Sequence, residues 1–340
     1  MRAMKNYPSV SIIIPVLNAQ RVLKTCLESI KMQRYPKRII EIIIADGGST
    51  DKTLEIAKEY GAKICRNPLK TAESGKAVAL SKAQNELILS IDSDNFLPQK
   101  DWLLKMVAPF EDRSILGNEP WKYTYRKNDS LVNRYCALIG ANDPYCYFIG
   151  NYDRMSAISG RWTGIDLDQS DKGDYLKVKV TGDLIPTIGA NGVIWRSDVI
   201  KKAVGNSNYL FDTDIPYAIA EKKPFFFAKV KVGIIHDYCS KMNDFYRKQK
   251  RRAKDFFYME AKRTRQVTFQ KKLNKQLYFI FSTILIFPLI IQAIKGYWRK
   301  PDKVWLLHPW FCLATLWIYG TETILAKFKT SEMNREGWKQ

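Results

Sequence analysis

Short apolar runs alternate with amphipathic stretches over the first hundred residues. Residues 10–17 (VSIIIPVL) form a continuous apolar, β-branched run, typical of a strand buried on both faces. Residues 21–32 then place their apolar side chains on one helical stripe. The same reasoning predicts strands at 39–45, 62–65 and 87–91, and helices at about 51–60 and 75–83. This rhythm predicts an α/β domain with a mainly parallel, Rossmann-like sheet and helices on both faces.

Carboxylates follow two of these predicted strands. Asp46 closes the second strand, and Asp92 and Asp94 follow the strand at 87–91. Open α/β sheets bind ligands beyond the carboxyl ends of their strands. An Asp-x-Asp pair there supplies oxygen ligands for Mg²⁺ or Mn²⁺, which in turn holds a diphosphate. Asp-x-Asp also occurs in ordinary surface turns, so the tripeptide predicts a metal site only together with the motifs around it.

The middle of the chain loses this periodicity. From about 117 to 186 it is rich in Tyr, Trp, Asn and Gly and is predicted to be irregular. A long aromatic insertion is usually a functional surface, with simple packing loops as the alternative. Regular structure is predicted again at 184–196, 200–204 and 225–235.

The C-terminal third has the pattern of a membrane-attachment region. Residues 241–276 predict a basic amphipathic helix, which either lies on an anionic membrane surface or packs on its own domain. Residues 277–294 contain no formal charge, and 304–326 form a second apolar stretch. These two apolar stretches predict membrane helices within a membrane-attachment segment at 277–340. Pro288 and Pro309 could instead break them into re-entrant or interfacial helices.

Composition narrows the partners of the chain. The net charge of +21 is concentrated beside the apolar tail, which favours an anionic membrane surface, and no nucleic acid is expected as a partner. Six cysteines without a CxxC pair predict free thiols. The N-terminus has no long apolar leader, so the first domain is expected on the cytoplasmic side of the membrane.

Several motifs in order resemble those of the family 2 glycosyltransferases, which have the GT-A fold. They are SIIIPVLN at 11–18, IADGGSTDKT at 44–53, Gly75-Lys76 and the Asp-Ser-Asp at 92–94. The resemblance is continuous over residues 8 to about 110 and patchier from 189 to 252. It implies a GT-A domain over 1–240, with a nucleotide-sugar-binding half at 1–116 and an acceptor half at 117–240.

The resemblance implies roles for residues in the first half. Asp94 would be the direct metal ligand together with Asp92, and Lys76 would offset the charge of the diphosphate. An ordinary strand end and turn, or a solvated lysine, is the alternative. The full set implied to bind the nucleotide-sugar is Pro15, Val16, Asn18, Asp46, Gly75, Lys76, Asp92, Ser93 and Asp94.

The second half supplies candidates for the acceptor side. An inverting transferase needs a carboxylate to take the proton from an attacking hydroxyl, and Asp214 is the first choice, with Asp212 next. Asp214 is alternatively the N-cap of a helix. His236 is a third metal ligand, a phosphate contact or a core histidine. The residues implied to face the acceptor are Gly189, Asn191, Gly192, Gln249 and Arg252.

Two departures from the family pattern qualify the prediction. Ala253 stands where membrane-bound, processive members carry a Trp after Gln249 and Arg252, which argues against a polymerase. Asp46 is followed by Gly47, so only one carboxylate is present where two are common. Neither change removes an expected metal ligand.

The predicted function is a metal-dependent, inverting glycosyltransferase of cell-envelope polysaccharide or glycolipid synthesis. It would use a UDP- or GDP-linked sugar, Mg²⁺ or Mn²⁺, and a lipid-linked or glycan acceptor at the membrane. A nucleotidyltransferase and a non-catalytic, basic membrane-binding protein are the alternatives. The first would carry a Gly-rich basic loop after its first strand, and PVLNAQRV at 15–22 is not one.

Overall fold

The computed structural model describes residues 7–189, 191–261 and 273–328. Its strands are β1 (Val10–Val16), β2 (Ile40–Asp46), β3 (Lys63–Arg66), β4 (Leu87–Ser90), β5 (Asn95–Phe96), β6 (Ile115–Tyr123), β7 (Gln169–Asp171), β8 (Tyr175–Val180), β9 (Val193–Arg196) and β10 (Phe225–His236). The strands predicted within the first hundred residues all form, with ends within about two residues of those expected.

The sheet is mixed, with a parallel half and a largely antiparallel half. Its order is β3-β2-β1-β4-β9-β6-β10-β8-β7, and β5 pairs with β10. Strands β1 to β4 pair in parallel, whereas β4–β9, β6–β9, β8–β10, β7–β8 and β5–β10 are antiparallel. The prediction of a mainly parallel sheet is therefore right for the first half and wrong for the second, where strands distant in sequence pair.

The helices that cover the parallel half begin and end close to the predicted positions. The described helices are α1 (Gln20–Lys31), α2 (Thr53–Glu59), α3 (Ala72–Lys82), α4 (Trp102–Val107), α5 (Leu131–Ile139), α6 (Pro144–Phe148), α7 (Ser197–Val204), α8 (Ile215–Ala220), α9 (Met242–Ala261), α10 (Leu273–Leu285), α11 (Phe287–Arg299) and α12 (His308–Ala326). Helices α3, α7 and α8 share one apolar core with strands of the sheet, and this core includes the fully buried Trp195.

The insertion at 117–186 is more regular than predicted. It contains most of β6, both α5 and α6, and the β7–β8 pair. Helices α5 and α6 start at Ser130 and Asp143, whose side chains accept hydrogen bonds from the backbone N–H groups of Asn133 and Cys146. Ser and Asp are common N-cap residues, but the many aromatic residues that follow them do not show a clear helical periodicity in the sequence.

The chain divides into two compact units, described here separately. The sheet-bearing unit comprises the described residues of 1–121 and 167–236. The helical unit comprises 122–166 and the described residues of 237–334. These limits divide the chain differently from the predicted domains, because 122–166 groups with the C-terminal helices.

In the helical unit, the apolar segment predicted as one helix at 277–294 is two helices. Helix α10 ends at Leu285, Ile286 adopts a positive φ of 61°, and α11 leaves at a 94° bend. Pro288 in the first turn of α11 explains the break, because its ring excludes a continuous helix through that position. Among the described residues, no single helix has both the length and the apolar character to cross a bilayer, and α10 with α11 meets that test only as a bent pair.

The predicted basic helix at 241–276 is partly described, as α9, while 262–272 lies outside the described residues. Phe245, Gln249 and Ala253 form its buried stripe and belong to the core of the helical unit, where Phe245 packs edge-on against Phe311. The apolar stripe thus serves internal packing, and Tyr246 and Phe256 are the ring side chains that stay exposed.

Candidate active site

The carboxyl ends of β1 and β2 form one edge of the candidate site. Val16 pairs with Asp46 in register, and Gly47 N–H donates to Val16 O at 2.9 Å. The Asp46 carboxylate accepts hydrogen bonds from the N–H groups of Gly48 and Ser49, and thereby shapes its own turn. This edge is built from the residues predicted to hold the nucleotide.

Asn18 ties the loop after β1 to the loop after β2. It has a φ of 51°, which an asparagine tolerates better than most residues. Its N–H donates to Ser49 Oγ at 2.9 Å, and its Oδ1 accepts from Thr50 N–H at 2.8 Å. The two loops are therefore fixed to each other before any ligand arrives.

Gly75 brings the start of α3 against β1. A Cβ at this position would lie 2.9 Å from Pro15 Cβ and 3.0 Å from Asn67 Nδ2. Gly75 is thus required by close packing, and the next residue, Lys76, is placed at the carboxyl edge of the sheet. The part predicted for Gly75 in binding the nucleotide-sugar stays a prediction beside this packing role.

Lys76 is the centre of a buried cluster of charges. Its Nζ lies 2.9 Å from Asp212 Oδ2 and 3.3 Å from Asp92 Oδ1. Burial alone would lower the pKa of Lys76, but Asp212 and Asp92 raise it above its ordinary value, so the ammonium stays protonated. Asp212 Oδ1 is buried and has no hydrogen-bond partner within the described ranges. The cluster therefore holds a fixed cation and an acceptor oxygen that a ligand would satisfy.

Asp94 lies beside His236 in the same unit. His236 ends β10 and pairs with Asn95 of β5, which brings its Nε2 to 3.6 Å from Asp94 Oδ1. Asn95 Oδ1 accepts from Asp92 N–H at 3.1 Å and so braces the turn that carries both aspartates, with Ser93 fully buried between them. Asp92 faces Lys76, so the two aspartates serve different neighbours.

The donor set at Asp94 fits a divalent metal that is completed by a substrate. A carboxylate and an imidazole suit Mn²⁺, and Mg²⁺ commonly takes only one or two carboxylates together with substrate phosphates. Among the described residues, no group of three or more His, Cys, Asp or Glu side chains is arranged to hold a metal without such help. Asp94 with His236 is therefore the pair that the geometry favours.

The acceptor-side glycines lie next to β4. Gly192 has a φ of 87°, and its N–H donates to Ser90 O at 3.1 Å. A Cβ on Gly192 would lie 2.8 Å from Ile234 Cδ1, so glycine is needed for both conformation and space. Asn191 is buried in the same loop.

Glu119 and Lys229 form an ion pair that sequence reasoning missed. Lys229 Nζ lies 2.8 Å from Glu119 Oε1, and neither side chain is exposed. Glu119 Oε2 accepts from Gly189 N–H at 3.3 Å, so the pair supports the start of the acceptor loop. The two residues stand 110 positions apart on strands, and no local motif marks them.

Asp214 occupies the N-cap position of α8, as the alternative interpretation predicted. Its side chain nevertheless makes no capping hydrogen bond, and its Oδ1 accepts from Thr213 Oγ1 at 3.3 Å. Asp212, two residues earlier, is the carboxylate that the structure places at Lys76.

Gln249 and Arg252 belong to the helical unit, where they form a polar network with Asp143. Arg252 Nη1 lies 2.8 Å from Asp143 Oδ2, and Gln249 Oε1 accepts from Tyr319 OH at 2.8 Å. Gln249 Nε2 donates to Asn142 O at 2.9 Å. The motif thus joins α9, α12 and the start of α6 within this unit.

The sheet-bearing unit has a GT-A type α/β fold. Along the sequence, residues 11–160 match the family model described as Glycosyl transferase family 2. This match covers the strands, turns and aspartates that form the candidate site up to Asp94.

Curated relatives match over limited lengths. Poly(ribitol-phosphate) beta-N-acetylglucosaminyltransferase TarS of Staphylococcus aureus (strain Mu50) is 33% identical over 108 residues, which is 30% of this chain and 18% of TarS. A dolichyl N-acetyl-alpha-D-glucosaminyl phosphate 3-beta-D-2,3-diacetamido-2,3-dideoxy-beta-D-glucuronosyltransferase of Methanococcus voltae is 37% identical over 111 residues, 30% of this chain and 34% of that protein. The chain thus spans less than half the length of the curated relatives named here.

A solved structure extends the likeness of fold to most of the chain. The mannosyltransferase PcManGT from Pyrobaculum calidifontis, in complex with GDP-Man and Mn²⁺, superposes with a TM-score of 0.50 at 14% identity. The superposition covers 96% of this chain and 77% of PcManGT. At this identity the likeness defines the fold alone.

Proposed function

We propose that this chain is a metal-dependent, inverting glycosyltransferase that moves a sugar from a nucleotide diphosphate to a membrane-linked or glycan acceptor. The observation that carries the proposal is the buried Lys76, held between Asp212 and Asp92 at the carboxyl edge of the parallel strands. The family match and the glycosyltransferase relatives support the same class.

The donor would lie over the loops after β1 and β2. Asn18 and Asp46 hold these loops rigid, so the nucleotide meets a preformed edge. The positive charge of Lys76 would offset a diphosphate oxygen, since the charge is already desolvated and fixed in place. Asp94 with His236 would hold the Mg²⁺ or Mn²⁺ ion, while Asp92 stays with Lys76. When bound, this ion would stabilise the charge that develops on the departing nucleotide diphosphate.

Asp214 is the preferred base for an acceptor that bears a hydroxyl group. Asp212 is engaged with Lys76 at 2.9 Å, which makes it the positioning partner of that lysine. Asp214 is only partly buried and would take the proton as the hydroxyl attacks the anomeric carbon. A polyisoprenyl phosphate is already anionic and would need no base.

Membrane attachment at the cytoplasmic face forms the second part of the proposal. The bent pair α10–α11 and the segment after it expose large apolar side chains, including Leu285 at 67%, Phe287 at 68% and Leu306 at 81%. Side chains of this size rarely stay in water as a contiguous set, and the nearby lysines and arginines suit an anionic surface. These helices would therefore attach the chain to the membrane.

The test is a screen of UDP- and GDP-sugars with Mn²⁺ or Mg²⁺ and detergent-solubilised protein, with and without polyisoprenyl phosphate. Metal-dependent release of nucleotide that Asp94→Ala abolishes is the expected result. Asp214→Asn should slow transfer to hydroxyl acceptors and leave transfer to a lipid phosphate unchanged. Folded wild-type protein that neither binds nor turns over any nucleotide-sugar would instead support a non-catalytic membrane-binding protein.

A further inference from the structure

The helical unit contains a cavity that the transferase site does not use. It has a volume of about 570 Å³, and its lining includes Tyr147, Tyr278, Ile291, Lys295, Trp298 and Arg299. This volume lies within the range of roughly 300–1,000 Å³ that is common for small-molecule sites. The lining combines aromatic rings and aliphatic side chains with two cations, which is the chemistry of an amphiphile with an anionic head.

One face of α11 supplies most of this lining. Pro288, Ile291, Gln292, Lys295 and Arg299 follow the three- and four-residue spacing of a helical stripe. The stripe runs from apolar residues near the bend at Ile286 to basic residues at the C-terminal end of the helix. The cavity therefore has an apolar end and a cationic end along one axis.

Both cations have donors to spare. Arg299 is fixed by hydrogen bonds from Nη1 to the carbonyl oxygens of Ala157 and Ile158, and in the described parts of the chain its Nε and Nη2 make no further hydrogen bond. Lys295 is exposed and forms neither a hydrogen bond nor an ion pair with any described residue. A phosphate between them would gain charge-assisted hydrogen bonds from a guanidinium that is already held in position.

The mouth of the cavity lies on the exposed apolar surface of the same unit. Tyr278 is 54% exposed, Ile291 39% and Trp298 79%. Aromatic side chains of this exposure beside lysines are typical of the headgroup level of a membrane. An acyl or isoprenoid chain could thus pass from the bilayer into the cavity without crossing water.

We propose that this cavity binds one phosphate-bearing lipid, with the phosphate at Lys295 and Arg299 and the first part of its chain against Tyr147, Tyr278 and Ile291. The proposal rests on the membrane attachment proposed above and deepens it. It assigns α11 a defined lipid site in addition to a general affinity for anionic surfaces.

The experiment measures co-sedimentation of the full chain with three kinds of vesicle. These are neutral phosphatidylcholine, phosphatidylcholine with phosphatidylglycerol, and phosphatidylcholine with polyisoprenyl phosphate at matched charge. High salt shortens the Debye length to about 3 Å at 1 M, so diffuse attraction is screened while contacts within a site persist. Lys295→Gln is compared with Lys303→Gln, which removes the same charge from an exposed residue of the same unit outside the cavity.

We expect wild-type protein to bind neutral vesicles and to bind phosphate-bearing vesicles more tightly, even at high salt. Lys295→Gln should lower this additional affinity about fivefold, whereas Lys303→Gln should change it less than twofold. A preference for polyisoprenyl phosphate over phosphatidylglycerol would identify a lipid-linked acceptor or carrier, and the reverse would identify a membrane phospholipid.

Equal losses in the two variants, or no headgroup dependence at high salt, would overturn the lipid site. Membrane attachment would still stand in that case if neutral vesicles are bound, and it would fall together with the site if they are not. Sugar transfer is measured separately in detergent, so failure of the transferase proposal is distinguishable from failure of the lipid site.

Discussion

Two buried lysines of the sheet-bearing unit form ion pairs of nearly equal length in different surroundings. Lys229 Nζ lies 2.8 Å from Glu119 Oε1, and both side chains are fully shielded from solvent. Lys76 Nζ lies 2.9 Å from Asp212 Oδ2, but it also faces Asp92, whose side chain is 30% exposed. The first pair is enclosed, and the second opens toward the carboxyl edge of the strands.

From this difference we infer a structural role for the Lys229 pair and a ligand-binding role for the Lys76 cluster. In an enclosed pair, the attraction between the two charges is what offsets the cost of removing them from water. Loss of one partner therefore leaves a buried charge without that compensation. The Lys76 cluster has two carboxylates for one cation and a buried Asp212 oxygen without a hydrogen-bond partner among the described residues. We expect a ligand to complete this cluster, so mutations in it should act mainly on binding and turnover.

The largest effect is expected at Lys229. Lys229→Met should lower the free energy of unfolding by about 3–5 kcal/mol, because it removes the cation that is paired with the buried Glu119 carboxyl group. Chemical denaturation monitored by circular dichroism measures this change. Glu119→Leu combined with Lys229→Met should recover most of the loss, since an apolar pair has no desolvation cost. A double variant as unstable as the single one would show that the pair is not the structural element described here.

At Lys76 the expected effect falls on catalysis. Lys76→Gln should reduce kcat/KM for the nucleotide-sugar by about 10²–10³-fold, the usual cost of removing one fixed donor from a developing negative charge. Lys82→Gln, at the exposed end of the same helix, is the matched control and should leave kcat/KM unchanged. If Lys76→Gln were fully active and folded, the two lysines would have to be regarded as equivalent structural groups.

A smaller effect is expected at Gly75, which places Lys76. Gly75→Ala would force its Cβ to within 2.9 Å of Pro15 Cβ, and overpacking of this kind costs about 1–3 kcal/mol of stability. Thermal unfolding and kcat/KM should both decline, because the start of α3 must shift. Gly320→Ala in α12 meets no atom within 4 Å and should be neutral or stabilising by up to about 1 kcal/mol. Equal behaviour of the two variants would contradict the close packing at Gly75.

The contrast between the two lysines also shows what the sequence could predict. Lys76 follows a glycine within the set of motifs that resembles the family, and this resemblance is what implied its role. Its partner Asp212 lies 136 positions away, and the sequence offered it as a second-choice base with no link to Lys76. Lys229 belongs to no recognisable sequence motif, and the sequence of β10 predicts only a strand at this position.

The fold was predictable where pairing is local. Strand β1 and helix α1 were predicted within two residues, since a continuous apolar run and a single helical stripe are local patterns. The antiparallel half of the sheet was not predictable, because paired strand residues such as Gly117 and Trp195 are distant in sequence and meet only in the tertiary structure. Pro288 marked a break in the apolar segment, but the 94° bend at Ile286 required coordinates.

The smallest effect on stability is expected at a third ion pair of this unit, which is partly exposed to solvent. Asp112 Oδ2 lies 2.6 Å from Lys177 Nζ, and the side chains are 34% and 20% exposed. The hydrogen bonds from Lys177 and Ser114 lower the pKa of Asp112 to about 2, from an unfolded value of about 3.9. A lowered pKa means that the pair stabilises the fold at pH values above the pKa of the unfolded state, and that this contribution is lost as the pH falls through about 2.

Asp112→Asn should therefore lower the free energy of unfolding by about 0.2–1 kcal/mol near pH 7, as is usual for exposed pairs. The difference in this free energy between variant and wild type should shrink steadily between pH 4 and 2. Urea denaturation across that range measures it, and a cost that stays constant with pH would show that the hydrogen bonds of Asp112, rather than its charge, stabilise this corner of the sheet.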